Sequence, residues 1–87
     1  MKIKEGFIIR QVGGENIVVP IGKTGKEFHG MIKLNDSGAF LWRFFTEEHT
    51  EAEAVAALLN EYEVDEATAT ADVASFVKTL NDPRFVD

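Results

Sequence analysis

The chain has 87 residues, of which 45% are hydrophobic and none is cysteine. At this length we expect one domain, residues 1–87, with a core of modest size. The lack of cysteine excludes disulfides, thiolate nucleophiles and Cys-based zinc or iron–sulfur sites. No apolar run reaches the ~20 residues that span a bilayer, and the first six residues lack the apolar region of a secretory signal. We therefore expect a cytoplasmic protein that does not bind a membrane.

The net charge of −6 is unevenly distributed. Residues 1–45 carry seven Lys and Arg against four acids, a net charge of +3. Residues 46–87 carry two against eleven, a net charge of −9. The acids of the second part either coat solvated helix faces or direct any acidic partner toward the first part.

Three short apolar runs predict strands at Phe7–Val12, Ile17–Ile21 and Phe28–Leu34. Residues 13–16, Gly-Gly-Glu-Asn, separate the first two runs and predict a hairpin, because glycine adopts the positive φ values of a tight turn. Residues 22–27, Gly-Lys-Thr-Gly-Lys-Glu, predict a polar connection. They do not form a phosphate-binding loop, because the preceding glycine at Walker spacing is missing and no helix is expected directly after them.

Three predicted helices follow the strands. Asn35 or Asp36 is expected to cap the first helix, Thr50 and Glu53 form a capping-box pattern for the second, and Asp65 is expected to cap the third. Apolar residues recur at helical spacing in each segment, including Trp42 in the first, Leu58 in the second, and Val73, Phe76, Val77 and Leu80 in the third. The order β-β-β-α-α-α predicts an α+β fold.

Residues 34–42, Leu-Asn-Asp-Ser-Gly-Ala-Phe-Leu-Trp, resemble the motif L-N-x-[ST]-G/A-x-x-[IL]-W of the PqqD family. Asp72-Val73, followed by Phe76 and Leu80, resembles the family's downstream pattern. The resemblance implies a winged helix-turn-helix-like fold in which a three-stranded antiparallel sheet precedes three helices. It also implies a non-catalytic adaptor, without cofactor or metal, that binds the leader of a ribosomally synthesised precursor peptide. Such an adaptor presents the leader to a peptide-modifying enzyme, for example a radical S-adenosylmethionine protein.

The resemblance further implies that the leader joins the sheet beside the third strand and lies against the third helix. An extended peptide can satisfy the free backbone groups of an edge strand, so this mode needs no catalytic residue. The predicted peptide-binding residues on the strand are Gly30, Met31, Ile32, Lys33 and Leu34. Those on the helix are Asp72, Phe76 and Thr79, whereas Val73 and Leu80 are expected in the core.

Several of these residues also have a purely structural interpretation. Phe76 lies on the apolar stripe of its helix and could serve packing alone, and Asp72 could cap or pair locally. Lys33 could project into solvent, because alternate strand residues point to opposite faces. Trp42 is expected to anchor the core, and Gly38 is expected to allow close helix-to-sheet packing.

Two other binding functions fit the sequence less well. Asp36-Ser37 before a helix resembles the attachment region of acyl carrier proteins, but Gly38 replaces the usual Leu and strands precede it. A DNA-binding helix would need several basic residues, and the third helix offers Lys78 alone. We therefore expect no nucleic-acid partner.

Catalysis has little support in the sequence. His29 and His49 lie on different segments without metal-ligand spacing, and Glu47-Glu48 fall in a turn where nothing apolar would raise a pKa. The alternative to a peptide adaptor is therefore another non-catalytic role, a structural interaction module that forms a homodimer through the same strand edge.

Overall fold

The computed structural model describes residues 1–27 and 30–86 of the chain. Its elements are β1 (Phe7–Val12), β2 (Glu15–Pro20), α1 (Thr24–Glu27), β3 (Ile32–Leu34), α2 (Asp36–Phe44), α3 (Glu51–Glu61) and α4 (Glu66–Leu80). The strands form one antiparallel sheet in the order β1-β2-β3. The predicted α+β fold, in which this sheet precedes three longer helices, is confirmed. The more detailed winged helix-turn-helix description stays a prediction.

The hairpin between β1 and β2 turns in two residues. Val12 pairs with Glu15, and the intervening Gly13 and Gly14 have φ values of 58° and 82°. Two positive φ values define a type I′ turn, whose twist matches that of the flanking strands. The predicted four-residue turn was too long, and β2 consequently begins two residues earlier than expected.

The segment between β2 and β3 differs from the prediction in two ways. Residues expected to form only a polar connection contain the single helical turn α1, which is preceded by Gly22 with a φ of 58°. Strand β3 is shorter than expected, because Gly30 has no side chain to pack and Met31 is 70% exposed. The remaining residues of the predicted strand, Phe28 and His29, lie outside the described residues.

The sheet has one face against the helices and one face turned away from them. Cross-strand partners share a face, and Val18, which pairs with Ile9 and Ile32, is only 1% exposed. The residues that follow this parity, and so face the helices, include Phe7, Ile9, Asn16, Val18, Ile32 and Leu34. The strand residues of the opposite parity lie on the face turned away from the helices. They include Arg10, Ile17 and Lys33.

All three predicted caps are confirmed. The Asn35 side chain accepts a hydrogen bond from the Gly38 amide at 2.8 Å, and Thr50 and Glu53 form a reciprocal capping box. Asp65 accepts from the Thr68 amide at 2.7 Å. Hydrogen bonds from the backbone stabilise the ionised carboxylates, so the pKa of Glu53 and the pKa of Asp65 both lie below their ordinary values.

The core lies between the sheet and the helices, and Trp42 is at its centre as predicted. Trp42 is 2% exposed and meets the Phe7 ring edge-on with 5.8 Å between centroids. Val73 and Leu80 are also buried, as expected. Buried Asn16 donates to the Asp36 carboxylate at 3.1 Å, which ties the hairpin to the start of α2. In the described ranges, 1–27 and 30–86, every helix is too short or too polar to span a bilayer.

Candidate functional site: a cleft beside the edge strand

Among residues 1–27 and 30–86, β3 is an edge strand of the sheet, so one row of its backbone groups pairs with no other strand that the structure describes. The hairpin turn establishes which row this is. In a type I′ turn the Val12 carbonyl accepts from the Glu15 amide, so Glu15 directs its backbone groups toward β1. Successive residues of an antiparallel strand alternate in this direction, so Ile17 and Ile21 also face β1. The Ile21 amide does donate to the Gly6 carbonyl, at 2.8 Å.

The same alternation assigns the two directions along β3. Asn16 and Val18 direct their backbone groups toward β3, where they pair with Leu34 and Ile32. Ile17 faces β1, so its partner Lys33 turns its amide and carbonyl to the free edge. Lys33 is therefore the strand residue that can exchange two backbone hydrogen bonds with an added peptide, whereas the Ile32 amide is used within the sheet.

A cleft of about 280 Å³ lies between this edge and helix α4. Buried or partly buried apolar side chains contribute to its lining, with polar residues beside them. The lining residues are Lys33, Leu34, Asn35, Ser37, Gly38 and Leu41 from β3 and α2, and Asp72, Ser75, Phe76, Thr79 and Leu80 from α4. The cleft thus joins a free strand edge to apolar side chains, the combination that β-addition of a peptide requires.

Gly38 allows β3 and the start of α2 to lie close together on one side of the cleft. A Cβ atom built on Gly38 would lie 2.9 Å from the Asn35 side-chain oxygen and 3.3 Å from the Leu34 Cβ. Any larger residue would push the start of α2 away from β3 or disturb the Asn35 cap. The prediction that Gly38 allows close helix-to-sheet packing agrees with these distances.

Phe76 belongs to both the core and the cleft. Its side chain is 7% exposed, and its ring stacks on the Phe45 ring with 5.9 Å between centroids and 13° between planes. It also lines the cleft. The two interpretations of Phe76, packing and pocket wall, are therefore compatible.

The structure brings five of the eight predicted site residues together. Lys33, Leu34, Asp72, Phe76 and Thr79 all line the cleft. The other three, Gly30, Met31 and Ile32, are not among the lining residues. Ile32 packs against the core, and Gly30 and Met31 precede β3. A role for each residue in peptide binding stays a prediction.

Six lining residues were not predicted from the sequence: Asn35, Ser37, Gly38, Leu41, Ser75 and Leu80. On α4 the helical period was a usable signal, because residues 72, 75, 76 and 79 share one face. The contribution of α2 had no such signal, because the motif at residues 34–42 was interpreted as fold support alone.

Charge in the cleft is concentrated on two side chains. The Lys33 ammonium is 3.4 Å from the Glu15 carboxylate, and both side chains are exposed. Asp72 is partly buried. Within residues 1–27 and 30–86, no hydrogen bond or ion pair engages its carboxylate. Local capping or pairing among these residues therefore does not account for Asp72.

A second depression, of about 360 Å³, lies between the hairpin and the helices α2 and α3. Its lining includes Gln11, Asp36, Arg43 and Glu61, so it is largely polar. The residues that line this depression do not come from β3, so it does not adjoin the edge strand. In the described part of the chain, no group of three or more His, Asp or Glu residues could hold a metal ion.

The fold and the cleft define a class of protein, a small α+β domain with an open strand edge beside a helix. The family model described as coenzyme PQQ synthesis protein D (PqqD) matches residues 15–86. The chain therefore belongs to the PqqD family, as the motif at residues 34–42 indicated. A comparison with curated protein sequences finds no match.

Two solved structures have the same fold. The first is described as TbiB1 in complex with the TbiA(beta) leader peptide, and it matches with a TM-score of 0.71 and 24% identity over 100% of this chain and 95% of that one. The second is described as lasso peptide synthetase B1 complexed with the leader peptide. It matches with a TM-score of 0.69 and 22% identity over 99% of this chain and 95% of that one.

Proposed function

We propose that residues 1–87 form one peptide-recognition domain, which binds the leader of a ribosomally synthesised precursor peptide by adding it as a strand beside β3. The observation that carries this proposal is the outward backbone edge at Lys33, which pairs with no other described strand and lies directly beside a cleft lined in part by Leu34, Leu41 and Phe76. Membership of the PqqD family supports it. So does the description of two proteins of the same fold as leader-peptide complexes.

The function proposed here is presentation rather than catalysis. Main-chain pairing at β3 would hold the leader in register, and the α4 side chains would select its sequence. Holding the leader keeps the attached core peptide at a high effective concentration beside a modifying enzyme. We propose a peptide-modifying enzyme as the second partner, with a radical S-adenosylmethionine protein as one class, and a cytoplasmic location.

The alternative is a homodimer in which the β3 edge of one copy pairs with the β3 edge of another. In that case the edge would be occupied without a peptide. Sedimentation at increasing protein concentration would detect such a dimer. Strand pairing between copies would also compete with peptide binding.

The first test is the backbone edge itself. A ligand is selected from a random dodecapeptide library, and its affinity for Lys33→Pro is measured by fluorescence anisotropy. Proline removes the outward amide but no bond of the β2–β3 ladder. Losing one backbone hydrogen bond, worth about 1 kcal/mol, should weaken binding about fivefold or more.

Two control variants isolate the amide. Lys33→Ala keeps the amide and removes the side chain, and Gln11→Pro removes an outward amide from the opposite edge, on β1. Both should bind within about threefold of the unmodified protein. Equal affinity of Lys33→Pro and the unmodified protein would refute strand addition at β3, and failure to select any peptide would refute peptide capture.

A further inference from the structure

Asp72 is an unexplained feature of the cleft. The residue is half-buried in the cleft wall, its carboxylate oxygens keep contact with solvent, and no hydrogen bond or ion pair engages them among residues 1–27 and 30–86. A peptide that covers this carboxylate would remove it from water, which is unfavourable unless the peptide also supplies a positively charged partner. The cationic residue of the cleft lining, Lys33, has its ammonium beside the Glu15 carboxylate. The cleft therefore holds an acidic group that its own described residues do not balance.

The spacing along α4 relates Asp72 to the apolar part of the cleft. Asp72 and Phe76 are four residues apart on one helix face, which corresponds to about 6 Å along the helix axis. Residues i and i+2 of an extended strand lie on the same side and are about 6.6 Å apart. One strand laid along this face can therefore place alternate side chains against Phe76 and Asp72.

From this geometry we infer that the cleft selects a leader segment with a large apolar residue and, two positions away, a Lys or Arg, and that Asp72 sets the charge preference. The inference rests on the proposed function and names its substrate class. The net charge of −9 over residues 46–87, which include α4, favours the same cationic ligand at longer range.

The first experiment pans a random dodecapeptide library against three proteins: the unmodified chain, Asp72→Asn and Asp72→Lys. Peptides selected by the unmodified chain should carry an apolar residue and a Lys or Arg at a spacing of two. Asp72→Asn should keep the apolar preference and lose the basic one. Asp72→Lys should select Asp or Glu at that position.

The second experiment measures affinity with two synthetic peptides that differ only in Lys or Glu at the selected position. The unmodified chain should prefer the Lys peptide about tenfold, as expected for one charge-assisted pair. Asp72→Lys should reverse the preference. Glu63→Lys makes the same charge change at an exposed residue that does not line the cleft, and it should leave the preference unchanged.

The outcomes separate this inference from the proposed function. If no peptide is selected by the unmodified chain, both are refuted. If peptides bind in the cleft but the Lys-over-Glu preference is the same in the unmodified chain and in Asp72→Lys, only the role of Asp72 is refuted. Circular dichroism verifies that Asp72→Asn, which keeps the shape of the side chain, is folded.

Discussion

Ser75→Trp should weaken peptide binding by at least about 30-fold, because a large side chain at this position fills the cleft. Ser75 lines the cleft and is exposed on α4, so the indole can enter the space that the leader would occupy without disturbing the core. An affinity about 30-fold weaker corresponds to a loss of about 2 kcal/mol in binding free energy, which is the lower bound for a dominant interface residue. The affinity is measured by fluorescence anisotropy with a peptide selected on the unmodified chain.

The matched control for this variant is Ala74→Trp. Ala74 is the preceding residue of α4, is exposed, and does not line the cleft. The Ala74→Trp variant adds the same indole to the same helix outside the cleft. Its affinity for the peptide should therefore be within about twofold of that of the unmodified chain. If both Trp variants bind like the unmodified chain, the peptide site is elsewhere on the molecule.

Trp42→Ala should reduce the free energy of unfolding by about 3–5 kcal/mol, the range for loss of a large aromatic residue from a core. Trp42 is 2% exposed and contacts Phe7 across the sheet–helix boundary, so its removal leaves a cavity between the two layers. A domain of this size is stabilised by about 5–15 kcal/mol in total. The variant should therefore be close to unfolding at physiological temperature.

Urea unfolding followed by circular dichroism measures this loss. Leu59→Ala is the control, because Leu59 is 39% exposed on α3, and it should cost less than about 1 kcal/mol. A cost below 1 kcal/mol for Trp42→Ala would contradict the assignment of Trp42 as the anchor of the core.

Local signals in the sequence predicted much of the fold. The caps at Asn35, Thr50 and Asp65 depend on contacts within three residues along the chain, so the sequence contains all the information that they require. The motif at residues 34–42 is equally local, and it led to the correct family. The helical turn α1 was not predicted, because it has only four residues and the glycines at residues 22 and 25 have low helix propensity.

The site was less predictable, because its geometry depends on contacts between distant residues. The direction of the Lys33 amide follows from its pairing with Ile17, sixteen positions earlier, across a connection whose shape the sequence did not indicate. The absence of a partner for Asp72 among the described residues is likewise a property of the folded chain. The family resemblance pointed to Phe76 and Thr79, which do line the cleft, but it did not indicate that Leu41 and Ser37 would line it with them.

The most direct test of strand addition at β3 is amide hydrogen exchange at Lys33, measured by NMR with and without a saturating selected peptide. The Lys33 amide faces the free edge, so bound peptide should slow its exchange by at least about tenfold, as expected for a newly formed backbone hydrogen bond. The amides of Ile32, within the β2–β3 ladder, and Gln11, on the opposite edge, should change far less. Unchanged exchange at Lys33 under saturation would contradict the account.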